Sequence, residues 1–266
     1  MNRLAATTAL LALLVGGAAL ADTPRKVVSL DYCADQFVLK LLPRDRILAV
    51  SPDAHLEFSY MRHAVDGLRQ VRPVAEDVLA LQPDLIVRSY GGGPRAVTFF
   101  QRAGVPVLQV PFANNLDDIR ATILFLADEL DASEQGQELV AEMDQRLAAI
   151  DDQLESRSTL YMTPNGATSG TDTLIHEMLL AANLDNFEQR SGWYSIPLEQ
   201  LAFDQPELVA AAFFDDGKSH PAMWSAMRHP VAQRQLREQP TVKLQGAWTS
   251  CGGWFLVDAL EALASR

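Results

Sequence analysis

The sequence is short of cysteine, of basic residues and of long apolar runs. Its 2 cysteines are too few for a disulfide scaffold or a structural zinc site. Lys and Arg number 22 against 34 Asp and Glu, a formal charge of −12. Such an acidic surface repels nucleic-acid phosphate and anionic lipid, so neither is an expected partner. After one uncharged apolar run near the start, no second long apolar stretch follows that would insert in a membrane. The 5 histidines show no metal-ligand spacing. His176-Glu177 begins like a zinc-protease motif, but Leu180 stands where the second His belongs. His220 and His229 read as surface or cap residues. Gly91-Gly92-Gly93 lacks the Lys-Ser/Thr that follows a phosphate-cradling loop, and Thr168-Ser169-Gly170 lacks the glycines of a nucleophile elbow. Catalytic residues, a resident metal and a cofactor are therefore not expected.

What is present begins with a leader. Asn2-Arg3 form a charged head, Leu4 to Leu20 carry no charge, and Ala19-Leu20-Ala21 offers the small-x-small pattern of a cleavage site. Residues 1–21 read as a secretory signal peptide, with the mature chain starting near Asp22. No cysteine sits at the cut, so no lipid anchor is expected.

The mature sequence alternates β-branched runs with helical periodicity, the pattern of an α/β fold with parallel strands. Strands are expected at Lys26–Leu30, Arg46–Ser51, Asp84–Val87, Pro106–Val110, Thr159–Met162, Leu208–Phe214 and Thr241–Leu244. Helices are expected at Ala34–Leu42, about Arg95–Arg102, Leu174–Ala182 and Trp254–Ala264. Gly104 reads as the stop of the second of these. From Leu116 to Ser156 there is no strand and no proline. Leu139, Met143, Leu147, Ile150 and Leu154 lay an apolar stripe along one helix, with Ser133 as its N-cap. The division is an N-terminal α/β lobe over 22–132, a bridging helix over 133–157 and a C-terminal α/β lobe over 158–266.

An internal repeat links the lobes. Glu76 to Val87 recurs as Glu199 to Ala210: in each copy Glu is followed by six residues, Pro, an acid and a buried strand. The segment after each Glu reads as two turns of helix that the Pro ends. Each Glu then lies in a first helical turn, where the macrodipole alone would stabilise it.

With these motifs in order, the sequence resembles the class III periplasmic substrate-binding proteins of ABC importers. In that family a single rigid helix bridges two lobes, and its members bind vitamin B12, ferric siderophores or haem. The resemblance runs through Val27-Val28-Ser29-Leu30, Ala49-Val50-Ser51, the Glu76 motif and Gly104-Val105-Pro106-Val107. It continues through Thr168-Ser169-Gly170, Trp193 six residues before Glu199, and Trp248 ahead of the last helix. It implies two Rossmann-like lobes with central parallel sheets and a ligand cleft between them. It also implies a monomeric periplasmic protein, not an enzyme, that serves an ABC permease dimer with its ATPase subunits. Glu76 and Glu199 would pair with arginines on the two permease subunits, giving orientation more than affinity.

The ligand would lie against loops at the strand ends, where the aromatics gather. Tyr32, Tyr90, Trp193, Tyr194, Trp248 and Trp254 are the expected ligand-binding set, since flat rings suit a bulky metal chelate. Trp193 and Trp248 match aromatic positions of the vitamin B12 binder, and a corrinoid is the first expectation, then a ferric siderophore, then haem. The likeness to the vitamin B12 binder breaks near Asp53 to His55, where that protein carries an aromatic. Haem binders often coordinate iron through Tyr or His, which keeps Tyr32, Tyr90 and His55 open for that role. The three glycines serve either close backbone approach to ligand or a turn. Cys33 and Cys251 both fall where cleft loops begin a helix. In an oxidising compartment three outcomes stay open: a disulfide, two buried thiols, or thiol contact with the ligand. A periplasmic enzyme or a metal-cofactor sensor on the same scaffold are the competing classes.

Overall fold

The structure, a computed structural model, describes residues 26–150, 155–214 and 225–266. The signal-peptide segment 1–21, Leu154 and His220 lie outside the described residues. In chain order the first half holds β1 (Val27–Ser29), α1 (Tyr32–Leu41), β2 (Ile47–Ala49), α2 (Ala75–Leu79), β3 (Leu85–Arg88), α3 (Gly93–Arg102) and β4 (Val107–Gln109). Two helices follow, α4 (Leu116–Glu129) and α5 (Ser133–Ala148). The second half holds β5 (Ser158–Met162), β6 (Ala167–Ser169), α6 (Leu174–Ala181), β7 (Asp185–Asn186), β8 (Trp193–Ser195) and β9 (Leu208–Ala212). It closes with α7 (Pro230–Glu238), β10 (Thr241–Leu244), α8 (Gly246–Thr249) and α9 (Leu256–Ala264).

Each lobe is built on a parallel sheet, ordered β2-β1-β3-β4 in the first and β7-β5-β9-β10 in the second. By order of appearance both read second, first, third, fourth. The chain therefore folds the same way twice. Within each sheet successive side chains take opposite faces, as a pleated strand requires. Val27, Leu85, Val87, Tyr161, Leu208, Ala210 and Ala212 belong to one continuous core shared by both lobes. Their neighbours Val28, Ile86, Leu160, Met162 and Val209 face two smaller outer cores, one for each lobe.

The repeat has a structural basis in these sheets. The acid after each proline sits at the entry to the third strand and reaches the start of the first. Asp84 accepts a hydrogen bond from the Lys26 amide at 3.0 Å, and Glu207 accepts one from the Ser158 amide at 2.9 Å. Neither copy makes two helical turns, however. The first is the five-residue α2, ended by Gln82 in the left-handed region (φ 52°), and the second is only a 3-10 turn over Gln200–Ala202.

The strand-free middle holds two helices, and the second, expected over 133–157, starts at Ser133 but ends at Ala148. Asn115 caps α4 by accepting from the Asp118 amide at 2.7 Å. At Gly136 of α5 an added Cβ would sit 2.3 Å from that of Ala127, so the missing side chain lets the two helices pack closely. Ser133 is inside α5; Ala132 occupies the cap position without a side-chain bond, while Ser133 Oγ meets Asp128 at 3.3 Å. Leu139 and Met143 of the expected stripe are buried, and Leu147 and Ile150 are partly so. Arg146 then fixes the far end of α5 to the second lobe, bonding Asp258 at 2.6 Å and Glu261 at 2.7 Å and 2.8 Å on α9. Two further boundaries move for local reasons. β9 stops at Ala212 because Phe213 turns left-handed (φ 65°), and α1 begins at Tyr32 because Asp31 caps it, accepting from Ala34 at 3.0 Å. Among the described residues no helix is long and apolar enough to cross a membrane.

Candidate functional site: the interlobe cleft

Loops from the C-terminal ends of strands in both lobes enclose a cleft of about 750 Å³. Position follows from topology: in an open parallel sheet the crevice opens where the connections diverge, here between β1 and β3. Asp31 stands at that point and organises it. One carboxylate oxygen caps α1, and the other accepts from the amides of Ser89, Tyr90 and Gly91 at 2.7, 3.0 and 2.8 Å. A single buried carboxylate thus fixes the helix carrying Tyr32 against the loop carrying Tyr90.

The glycines of that loop serve the turn. A Cβ on Gly91 would lie 2.4 Å from the Leu30 carbonyl oxygen, and Gly92 and Gly93 take φ of 76° and 63°. The Tyr32 and Tyr90 rings meet edge to face at 5.9 Å, and Phe58 packs on Tyr32 at 4.7 Å. Burial raises the Tyr32 phenol, and the nearby Asp31 and Asp53 add to this, while a hydrogen bond from Tyr90 opposes them. Burial pushes Tyr90 far above the usual phenol range, with Tyr32, Asp31 and Asp53 acting the same way.

The second lobe supplies Trp193 from the antiparallel pair β6–β8, a feature the sequence pattern does not reveal. Trp193 pairs in register with Ser169, is 54% exposed, and meets Tyr161 edge on at 6.0 Å. Tyr161, raised to about 12 by its burial, donates its hydroxyl proton to Thr249 at 3.3 Å, and Thr249 also lines the cleft. At the floor Cys33 and Cys251 form a disulfide between residues 218 apart. Ser250 beside it donates to the Phe58 carbonyl oxygen at 2.8 Å, a second tie between the lobes.

Of the expected ligand set, Tyr32, Tyr90 and Trp193 line the cleft together. Trp254 does not: at 6% exposure it packs in the core against Phe37, Tyr60 and Phe255. Trp248 is also outside the lining, partly buried against the shared core. Tyr194 alternates to the other face of β8, where the Arg190 guanidinium stacks on its ring at 4.2 Å. His55 is taken by Gln70 at 3.0 Å. Sequence reasoning missed Phe112, 83% exposed at the end of β4, and the polar liners Gln109, Asn114 and Asp172. Phe112 follows a predicted strand and a proline, which is the one signal that marks it.

Glu76 and Glu199 are both exposed, at equivalent places in the two halves of the fold. Pro73, just before α2, lies against Gly92 at the cleft end of the first sheet. The Ile196 amide, three residues before Glu199, bonds Gly166 just beyond β5 at 2.8 Å. Among the described residues no group of three or more His, Cys, Asp or Glu is placed to hold a metal ion.

Two lobes of matching topology, a bridging helix and a walled cleft define a helix-bridged solute-binding protein. The chain belongs to the periplasmic binding protein family, whose model matches residues 27–247. No curated protein sequence matches it. Among solved structures it resembles a periplasmic haem-binding protein from Pseudomonas aeruginosa, 22% identical with a TM-score of 0.68, covering 91% of this chain and 92% of that one. It resembles a protein of an Fe3+-hydroxamate transport system from Saccharomonospora viridis equally well, at 19% identity, a TM-score of 0.68 and coverage of 91% and 92%. A vitamin B12-binding protein of Vibrio cholerae is 19% identical with a TM-score of 0.64, covering 91% and 96%. At these identities the likeness is one of fold.

Proposed function

We propose that this chain is the periplasmic receptor of an ABC importer, binding a bulky metal chelate that is neutral or positively charged, a corrinoid first. The observation that carries the reading is the composition of the cleft. Rings from both lobes face a space of about 750 Å³, and among the described residues the polar liners are amides and hydroxyls with Asp172 as the one acid. A space of that size suits a ligand larger than a sugar or amino acid. Amide and hydroxyl liners match the amide rim of a corrin, whereas an anionic ferric catecholate would meet no cation among the described liners. The metal would arrive inside its chelator, since the described residues assemble no ion site of their own.

A ferric porphyrin is the second reading, favoured by the Tyr32–Tyr90 pair. Ferric iron takes phenolate oxygen, and Tyr90 donating to Tyr32 is the arrangement that would stabilise a phenolate there. Titration of the purified protein with cyanocobalamin, haemin, a ferric trihydroxamate and a ferric triscatecholate separates these readings. The corrinoid reading predicts tight binding of the first and none of the last. A new haemin charge-transfer band lost in Tyr32→Phe would replace it with the porphyrin reading, and tight triscatecholate binding would sink both.

Delivery would rest on Glu76 and Glu199, one exposed acid from each lobe at matching places in the repeat. Glu76→Lys with Glu199→Lys should abolish ligand uptake by cells and leave ligand affinity in solution unchanged. Uptake that survives both changes would refute the docking role.

A further inference from the structure

Asp172 holds a conformation that costs a residue with a side chain. Its φ is 59°, in the left-handed region that Asp and Asn tolerate better than other non-glycine residues. The backbone on either side pins it there. The Thr171 amide donates to the Arg190 carbonyl oxygen at 3.1 Å, and the Gly192 amide donates back to Thr171 at 2.9 Å. The next residue, Thr173, caps α6 by accepting from the His176 amide at 3.2 Å. No ion pair or hydrogen bond engages the Asp172 carboxylate among the described residues, so it stands free at the cleft wall.

The cations nearby are turned to other work. Arg88 donates to the Gly91 carbonyl oxygen at 2.7 Å and to Gln109 at 3.3 Å, and Arg190 is bonded to Glu188 at 2.7 and 2.9 Å and stacked on Tyr194. On the opposite wall the charges acting on Tyr32 and Tyr90 are those of Asp31 and Asp53, both acids. Among the described residues, those that line the cleft include one exposed, unengaged acid, Asp172, and no cation.

We propose that Asp172 is the charge filter of the cleft: its carboxylate meets positive charge on the bound chelate and turns anionic chelates away. This rests on reading the cleft as a metal-chelate site, and the test is chosen to separate the two. Aquocobalamin at pH 6 and cyanocobalamin share one corrin and differ by one positive charge; ferrioxamine B and its N-acetyl derivative do the same for ferric hydroxamates. The wild type should prefer the cationic member of whichever pair it binds. Asp172→Asn, which keeps the left-handed backbone, should shrink that preference by roughly fivefold, the worth of an exposed ion pair. Asp172→Lys should reverse the preference, and added salt should erase it in the wild type. A cation-to-neutral ratio unaltered in Asp172→Asn overturns the filter. Binding of neither these probes nor haemin by the wild type overturns the chelate reading itself, and binding of haemin alone overturns the filter.

Discussion

Replacing Cys33 and Cys251 together by serine removes the disulfide cross-link between the lobes, leaving the chain itself as their covalent connection. The bond closes a loop between residues 218 apart, so the chain-entropy estimate of its contribution is on the order of 5 kcal/mol. Native geometry should survive the loss, because other forces hold the same surfaces. The inner faces of both sheets share one core, Ser250 bonds Phe58 across the cleft at 2.8 Å, and Arg146 clamps α5 to Asp258 and Glu261. The cost then falls on the unfolded state, which gains freedom, and the free-energy difference should appear as lower stability without lower ligand affinity. Guanidinium unfolding of the oxidised wild type and the double-serine variant measures it. At roughly 2–4 °C per kcal/mol for a domain of this size, melting should drop by about 10–20 °C. The m-value should rise, since an uncrosslinked chain exposes more surface on unfolding. A loss under about 1 kcal/mol, or unfolding in two separated steps, would refute this account of how the lobes are joined.

Three further outcomes follow from individual groups. Asp35 is fully buried, with the amide and hydroxyl of Ser51 donating to it at 3.1 and 2.5 Å, and burial raises it from 3.8 to about 7 against these hydrogen bonds. Between those values the native state keeps a proton that the unfolded state releases. The stability this confers is therefore full below pH about 4 and falls as pH rises toward 7, by up to about 4 kcal/mol. Denaturant unfolding at several pH values should show that limb flattened in Asp35→Asn; equal slopes in the two proteins would contradict it. Gly91→Ala forces a Cβ to within 2.4 Å of the Leu30 carbonyl oxygen and should cost about 1–3 kcal/mol while loosening Tyr90. Gly93→Ala meets no atom within 4 Å and should cost only the left-handed backbone term of roughly 1–2 kcal/mol, so equal melting shifts would argue against the close-approach explanation.

The fold was legible where periodicity and pairing repeat. Short β-branched runs marked seven of the strands to within two residues at each end, because parallel strands covered on both faces are apolar throughout. The repeat around Glu76 and Glu199 pointed to two halves, and the common strand order shows that the halves are topologically alike. Three weak features escaped. The β6–β8 pair is short and made of residues any loop might hold, yet it sets where Trp193 and Tyr194 point. Helix α4 has no range of its own in the sequence pattern, although the boundary at 132/133 matches the start of α5 after Asp131 at φ 49°. In the cleft, residue type identified Tyr32, Tyr90 and Trp193 but could not exclude Trp254, which is as aromatic as they are and lies in the core. Burial is a property of the folded neighbours, and the chain alone does not state it.

Tryptophan fluorescence during titration with cyanocobalamin or haemin tests the placement of the ligand most directly, because Trp193 lines the cleft and Trp248 and Trp254 do not. Saturable quenching with an affinity that falls in Trp193→Phe and holds in Trp248→Phe and Trp254→Phe is the expected result. An affinity unchanged by loss of Trp193, or no quenching with any metal chelate, would put the binding surface elsewhere.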